Sequence, residues 1–514
     1  MRGLGGWSIG TAQVVVKTAS PFTKFISIPV SLGVPPAILT GIAFIKEKSM
    51  TLDEWRKVQK RKPVRYAHFD PRISLSQCWK DVSSPEKVAT YAFMPFIHYT
   101  KTIRKVKDGK KQDPKKREIF YAAHKDTWIY RYYAYLLNER YNQRVKQDGI
   151  HAVAVAYRNN LSGKNNIDFA NEAFQFIKAC SSCCVMIGDF SNFFDNLNHC
   201  YLKNQLCNLL GVSQLPDDYY AIFKNVTRFS YVEMDDLLEY HGLEKNRSGQ
   251  NQLNQMDTVL DKMELRSWKK FNKNKNLSES KGVPQGSPIS AVLANVYMLE
   301  VDKQIYEYVL SFNGFYMRYS DDFIVIIPNV IPEQFRKHYK TIYEYVTAAG
   351  GIELKQEKTK VFFYQNGTVQ NCISCIVDEQ KNGKNTIDFL GFSFDGKNIR
   401  LREKTISKYY NRMHRKAKTI FRNNGITKNG SYISGDELYG KYSYKGSTAY
   451  RRLKGKNVNN SPSERNLFDY LYSTQRKMGD DFIDMVTPRH MERIRRFIKG
   501  KPGKNHKKNK NTLK

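Results

Sequence analysis

Tyr319-Ser320-Asp321-Asp322 is where this sequence places residues most suited to chemistry. The four sit inside FYMRYSDDFIVII, Phe315 to Ile327, with apolar residues dominating both sides. Runs of Val, Ile and aromatics predict buried strands. Adjacent carboxylates at a bend between such strands repel each other and lose hydration, and a divalent cation would offset both costs. Mg²⁺ suits the position, because it takes a few carboxylate oxygens and completes its octahedron with water and substrate phosphates. Ser-Asp-Asp is also good turn chemistry, so a polar hairpin tip is the competing reading. Asp189 has a similar setting. In CCVMIGDFSNFF, Cys183 to Phe194, a buried strand runs into Gly188 and Asp189. A helix follows through about Leu210, with Asp195 expected as its N-cap.

The elements around these carboxylates follow from pattern. Gly282 to Ser287 with Pro288 forms a compact loop that opens a long helix reaching Leu310. Ser290, Ala291, Ala294 and Asn295 make one face of it small, so another backbone or a nucleic-acid strand can come close. Glu333 to Ala349 predicts an amphipathic helix ended by Gly350-Gly351. Asp388 to Phe394 predicts a strand in which Gly391 allows close backbone approach. Upstream, Phe93 to Asp126 predicts a basic hairpin with a cationic tip, and Asp126 to Tyr141 a helix with an apolar stripe. Met256 to Lys270 is helix-like. From Ile399 onward the chain is basic, aromatic and helical in pattern, and the stretch Lys408 to Phe421 suits a duplex or unpaired bases.

With 514 residues the chain can bury a large core in two or three domains. A formal net charge of +35, spread along the whole length, points to a polyanionic partner, of which nucleic acid is the commonest. The 33 Tyr and 29 Phe suit base stacking beside phosphate contacts, although most must serve the core. The C-x-x-C pairs Cys180/Cys183 and Cys372/Cys375 lie in apolar, strand-like runs and not at turns, which disfavours zinc. Free thiols and a cytoplasmic location are expected, with no secretory signal of ordinary form visible. Residues 25–45 carry no charge and are long enough to span a bilayer, but Pro29, Pro35 and Pro36 break a helix. A folded apolar arm or an oligomer contact is therefore preferred over membrane contact there. Lys499 to Lys514 is expected to be a disordered basic tail.

Taken in order, these motifs resemble the right-hand palm of reverse transcriptases, most closely the bacterial branch of retron, group II intron and phage-defence enzymes. GDFSNFFDNLNH is similar to the family's first metal-binding motif, and GVPQGSPISAVLAN to the loop and helix that shape its nucleotide site. YSDD resembles its Tyr-x-Asp-Asp hairpin, EKTK its lysine motif, FLGFSF its primer-grip strand, and KKREI with HKD its fingers. Ser320 departs from the commoner Ala or Val. The resemblance covers roughly Phe93 to Tyr410. It implies an α/β (α+β) right-hand polymerase with fingers, an antiparallel palm sheet plus helices, and a helical thumb. The boundaries are an apolar arm at 1–50, fingers at 51–180 and palm at 181–395 with a basic insertion at 244–281. A thumb or C-terminal region at 396–498 and the tail at 499–514 complete the chain.

The resemblance also implies roles. Two Mg²⁺ ions, or Mn²⁺ in their place, would sit about 3.5–4 Å apart on Asp189, Asp321, Asp322 and the Phe190 carbonyl. Lys116 and Arg117 would clamp the triphosphate, and Gln285 would lie beside the incoming nucleotide. The Phe194 ring would exclude a ribose 2′-hydroxyl, which favours dNTPs and disfavours an RNA-dependent RNA polymerase. Lys358 would be a general acid toward pyrophosphate, with a plain surface lysine as the alternative. Gly286, Ser287, Tyr319, Leu390, Gly391, Tyr409 and Tyr410 would contact primer and template. The implied activity is RNA-directed DNA synthesis on a dedicated structured non-coding RNA in antiphage defence, with a DNA product and a homo-oligomer as an option. A retron or intron polymerase, a protein-primed or template-independent polymerase and an idle RNA-binding scaffold are the alternatives; the carboxylate triad argues against the last.

Overall fold

Twelve strands in three sheets organise the described part of the chain. They are β1 (Phe96–Lys107), β2 (Lys110–Tyr121), β3 (Ser182–Asp189), β4 (Ser230–Glu233), β5 (Asn272–Lys273), β6 (Phe315–Tyr319), β7 (Asp322–Pro328), β8 (Lys360–Gln365), β9 (Thr368–Asn371), β10 (Ile387–Phe389), β11 (Phe392–Phe394) and β12 (Ile399–Leu401). The computed structural model describes residues 50–107, 110–161, 163–378, 380–426, 432, 434–455, 466–480, 482, 492 and 496. The chain divides into Met1–Ala43 and Phe44–Lys514, and the described residues all belong to the second. The apolar run 25–45 and the tail 499–514 lie outside them. Among the described residues no helix is long and apolar enough to cross a membrane.

The central sheet has the order β6-β7-β3-β8-β9 and is antiparallel throughout. Its strands are apolar on both faces because a separate core covers each face. Cys184 and Met186 of β3, with Phe323, Val325 and Ile327 of β7, enter one core. The helices His124–Gln147, Ser290–Tyr297, Leu299–Leu310 and Pro332–Thr347 close it. Cys183, Val185 and Ile187, with Ile324 and Ile326, enter the other, closed by the helices Asn166–Ala179 and Leu467–Met478 and the small sheet β10-β11-β12. Period-two alternation thus feeds two cores from one strand. The fold is a mixed α/β architecture with antiparallel sheets and helices, as expected.

The remaining sheet, β2-β1-β4-β5, joins distant segments. β1 pairs antiparallel with β2 and parallel with β4, with Phe96 opposite Tyr231. β5 extends the sheet, so part of the 244–281 segment is fastened to β4. Ile97, Val232, Leu237, Leu238 and Leu253 bury a small core there. The helix expected over 256–270 is only Lys262–Ser267. Asp261 starts it late, its carboxylate accepting from the Met263 and Glu264 amides at 2.7 and 2.8 Å.

Three further expectations are corrected. The helix after Pro288 breaks at Met298 into Ser290–Tyr297 and Leu299–Leu310. Asn198, not Asp195, caps the helix His199–Leu210, accepting from the Tyr201 amide at 3.0 Å, while Asp195 closes a short 3₁₀ turn. The single strand expected over 388–394 is two strands, β10 and β11, turning at Leu390-Gly391. Both turn residues have positive φ, +45° and +97°. That left-handed pair is what a tight two-residue hairpin needs. Gly391 therefore serves its backbone conformation rather than a close approach: a Cβ there would meet only Asn166, at 3.9 Å.

Candidate active site

Strand register brings the acidic residues together. Asp189 ends β3 directly opposite Asp322, the first residue of β7. Tyr319 pairs with Asp322 across the β6–β7 hairpin, so Ser320 and Asp321 form its two-residue turn. Ser320 adopts φ +62°, the left-handed region that a tight hairpin turn requires and a side chain disfavours. Gly188 precedes Asp189 because the Phe323 ring lies across it: a Cβ there would stand 2.3 Å from that ring. The sequence spacing and the pleat together place three carboxylates at one end of the sheet.

These charges act on one another. Asp322 is pushed up to about 6, first by the protein mass around it and then by the charges of Asp321 and Asp189, against the opposing pull of Lys358 and Arg402. Asp321 and Asp322 nevertheless stay solvent-exposed at the residue level. The low-dielectric sheet beneath Asp322 and its like-charged neighbours explain how an accessible carboxyl resists ionisation. The Lys358 ammonium contacts Asp189 Oδ2. Its backbone puts it there: the Lys355 amide donates to the Asp189 carbonyl at 2.8 Å, and Lys358 follows in the 3₁₀ turn Gln356–Lys358. The Ser191 amide donates to the Glu353 carbonyl at 2.9 Å in the same bridge, which leaves the Phe190 carbonyl out of it.

Among the described residues no three His, Cys, Asp or Glu side chains converge as a ready ligand cluster. The donor set still has the chemistry of a hard-cation site: carboxylate oxygens only, at one end of the sheet, with like charges raising one of them.

A chain of backbone contacts links this end of the sheet to the basic hairpin. The Val283 amide donates to the Phe194 carbonyl at 2.9 Å, and the Phe120 amide of β2 donates to the Gln285 carbonyl at 2.9 Å. Gly286, at φ +120°, presses so close that a Cβ would lie 2.5 Å from the Phe120 carbonyl oxygen. The loop therefore spans from Phe194 to β2. Phe194 is half-buried, its ring edge-on to Phe193 at 5.6 Å, and Phe193 stacks on Phe190. Lys116 and Arg117 are exposed on β2, with Arg117 directly opposite Lys101. Beside them a cavity of about 250 Å³ is lined by His98, Glu118, Asp195 and Gly282 among others. His98 sits between carboxylates there, Nδ1 to Glu233 at 2.7 Å and Nε2 to Glu118 at 2.6 Å.

Other expected contacts separate. Ser287 is buried, and its Oγ has no hydrogen-bond partner among the described residues. Ser290, Ala294 and Asn295 are buried too, so the small helix face meets protein: Asn295 Nδ2 donates to the Ala156 carbonyl at 2.9 Å. Tyr319 is half-buried against the second core, as is Leu390 at its hairpin tip, where its carbonyl accepts from Asn166 Nδ2 at 3.0 Å. Tyr409 is a correction. It is 5 % exposed, donates its hydroxyl to the Tyr442 carbonyl at 2.8 Å and packs with Met413, Ala417 and Leu438. Its ring cannot stack on a base from there, and Tyr410 is half-buried beside it. The exposed face of the helix Glu403–Arg422 is carried instead by Lys408, Arg412, His414 and Arg415. They line a groove of about 710 Å³.

Two residues of the site escape sequence reasoning. Arg318 and Asp302 are both fully buried and ion-paired, Nη2 to Oδ2 at 2.6 Å. Burial pulls the guanidinium down, yet the Asp302 charge overcomes it and holds Arg318 above its ordinary value. A charged residue inside a strand, three places before an acidic pair, is the signal, together with an Asp on the apolar face of the helix Leu299–Leu310.

No curated protein sequence matches the chain. Among solved structures, apo telomerase from Candida tropicalis, truncated from its C-terminal domain, is 13 % identical, with 64 % of this chain and 61 % of that chain covered and a TM-score of 0.37. Telomerase from Candida albicans in complex with a TWJ fragment of telomeric RNA is 15 % identical, with 87 % and 66 % covered and a TM-score of 0.37. The chain thus spans under two thirds of the length of these structures. The family model described as reverse transcriptase (RNA-dependent DNA polymerase) matches residues 128–394, just over half of the chain. That stretch holds Asp189, the loop at Gln285, Asp321, Asp322 and Lys358, and the chain belongs to the reverse transcriptase family.

Proposed function

We propose that the protein is an RNA-directed DNA polymerase that extends a primer with dNTPs by nucleotidyl transfer. The observation that carries this is the register of Asp189 against Asp322 with Asp321 at the adjoining turn. Asp189, Asp321 and Asp322, with the Phe190 carbonyl, would hold two Mg²⁺ ions, or Mn²⁺ in their place. Such ions supply activation of the attacking hydroxyl and stabilisation of the leaving pyrophosphate. The chain's own residues do the rest. Lys116 and Arg117, on a strand whose cross-strand neighbour Lys101 is also cationic, bind the triphosphate; like charges facing each other are costly until an anion joins them. Lys358, already against Asp189, gives its proton to the departing pyrophosphate oxygen. Gln285 orients the nucleotide through a loop fixed to β2, and the half-buried Phe194 ring crowds a ribose 2′-hydroxyl. The exposed Gly286 backbone, which buried Ser287 supports from behind, guides primer and template with Tyr319, Leu390 and Gly391.

The working partner is RNA. A +35 chain whose exposed helix face carries Lys408, Arg412 and Arg415 suits a phosphate backbone. Within the family, the pattern of KKREIFYAAHKD and of LLGVSQLPDDYYAIFKNVTRFSYVE, Leu209 to Glu233, supports a bacterial defence polymerase working on a dedicated structured non-coding RNA, and the expected free thiols suit the cytoplasm. Primer extension with dNTPs tests the activity: Asp189→Asn, Asp321→Ala and Asp322→Ala each abolish it while RNA binding persists. Undiminished extension in these variants overturns the assignment. Sequencing the RNA that co-purifies tests the partner; one dominant species supports the dedicated RNA, and random cellular RNA argues for a general polymerase.

A further inference from the structure

Burying an ion pair completely is a poor way to gain stability, since desolvation cancels much of the attraction. Arg318 and Asp302 are nevertheless each 0 % exposed. Their hydrogen bonds show what the pair achieves. Arg318 Nε donates to Asp302 Oδ1 and Oδ2 at 2.8 and 3.1 Å, and Nη2 donates to Asp302 Oδ2 at 2.6 Å and Asn295 Oδ1 at 3.2 Å. That leaves Nη1, which donates to the Ser320 carbonyl at 2.9 Å. Tyr316 adds a hydroxyl donor to Asp302 Oδ1 at 2.8 Å. The network is closed at every corner, and such networks are rigid. Two of its contacts lead outward, from Asn295 to the Ala156 carbonyl and from Nη1 to the turn residue that precedes Asp321.

Ser320 needs that support. Its φ of +62° is a conformation that residues with a side chain rarely adopt. Its side chain is held as well, Tyr157 Oη and Ser320 Oγ lying 2.9 Å apart. The backbone of Arg318 is pinned on the sheet's outer edge, its amide donating to the Val153 carbonyl at 2.8 Å and its carbonyl accepting from the Val155 amide at 3.0 Å. An apolar residue at 318 would fill the same volume but offer nothing to the Ser320 carbonyl.

We propose that the Asp302–Arg318 pair is the positioning device of the acidic hairpin: it locks the left-handed Ser320 turn and thereby sets how tightly Asp321 and Asp322 hold a divalent cation. This rests on reading those carboxylates as cation ligands. Neither Asp302 nor Arg318 touches substrate. Their action passes through the Ser320 carbonyl, as supporting partners act on a ligand's orientation.

The test is the double variant Asp302→Leu with Arg318→Met in the full chain, with Mn²⁺ alone as the probe. Apolar replacement of a buried pair tends to preserve stability, so the thermal midpoint stays near that of the wild type. Mn²⁺ affinity, read by electron paramagnetic resonance without substrate, falls about ten-fold, the scale on which supporting partners act. Amide hydrogen exchange at residues 319–322 accelerates. Wild-type Mn²⁺ affinity and exchange in the double variant would reduce the pair to core filling and overturn the proposal. Should the double variant not fold, Arg318→Lys, which keeps a charge beside Asp302 but lacks the guanidinium fork that reaches Asp302 and the Ser320 carbonyl together, decides: faster exchange at 319–322 supports the lock, and unchanged exchange overturns it. Asp321→Ala separates the two readings. If it binds Mn²⁺ as well as the wild type, the ligand assignment fails and with it the cation half of the proposal, while exchange at 319–322 still decides whether the pair locks the turn.

Discussion

Two buried carboxylates in this molecule have been given opposite surroundings. Asp302, under the acidic hairpin, meets a guanidinium and a tyrosine hydroxyl. Asp126, at the start of the helix His124–Gln147, is 1 % exposed and meets the Tyr91 hydroxyl at 2.8 Å and the Met94 amide at 2.9 Å. Burial without a cation beside it pushes Asp126 up to about 7, with the nearby Asp70 adding to the rise and its own hydrogen bonds opposing it. The first site carries a compensated charge. The second is a group near neutrality that is held by neutral donors. The lesson is that burial alone does not define a carboxylate's role; the partner decides whether it anchors a geometry or titrates.

Removing one half of the anchored site should have the largest effect. Asp302→Ala leaves the Arg318 charge buried without its partner, and chemical denaturation should show a loss of about 3–5 kcal/mol. A loss below about 1 kcal/mol would mean that Asn295 and the Ser320 carbonyl suffice for Arg318, and the contrast with Asp126 would collapse.

Asp126→Asn should do the reverse. The folded state favours the neutral form, so this group's contribution is complete below its unfolded value near 4 and is lost as pH rises through about 7. Above pH 7 the folded wild type carries a charge that its surroundings resist. Asparagine removes that cost, and a gain of roughly 1–3 kcal/mol at pH 8 should shrink toward zero near pH 4. Stability curves that stay parallel from pH 4 to 8 would show that Asp126 does not titrate in this window.

The paired tyrosines give the finest comparison. Tyr316→Phe and Tyr91→Phe each remove one hydroxyl donor from a buried carboxylate. Tyr316→Phe should cost about 1.5–3 kcal/mol at neutral pH, the range for a hydrogen bond to a charged group. Tyr91→Phe should cost less, and it should also shift the stability titration of Asp126 upward, since that hydrogen bond holds the carboxyl down. An unmoved titration would assign the effect to lost packing.

The same contrast shows what a sequence displays and what it hides. The Asp321-Asp322 turn is legible because apolar strands on both sides leave two charges nowhere else to go. Asp189 is legible for the same reason, and the family pattern orders both. Arg318 is hidden because one charge inside a strand means little until a helix residue is known to pack against it. Tyr409 misleads in the opposite direction. Aromatic and basic residues alternate around it, and only the packing of Leu438 and Tyr442 shows which side is buried. Leu390 gives no local hint of its positive φ, because the β10–β11 pairing and not side-chain preference selects that turn. The attachment of β4 and β5 to β1 is equally invisible, since pairing between remote short strands leaves no periodicity to read.

β3 also has a consequence for how the protein is made. It feeds both cores, and its neighbours on the sheet, β7 and β8, end only at residues 328 and 365. A ribosome adding about 5–20 residues per second needs on the order of ten seconds to reach them after β3 emerges. Throughout that interval a doubly apolar strand has two bare edges, the condition most prone to mispairing between nascent chains. Truncations that end before residue 365 leave an edge of β3 bare for good and should collect in the insoluble fraction.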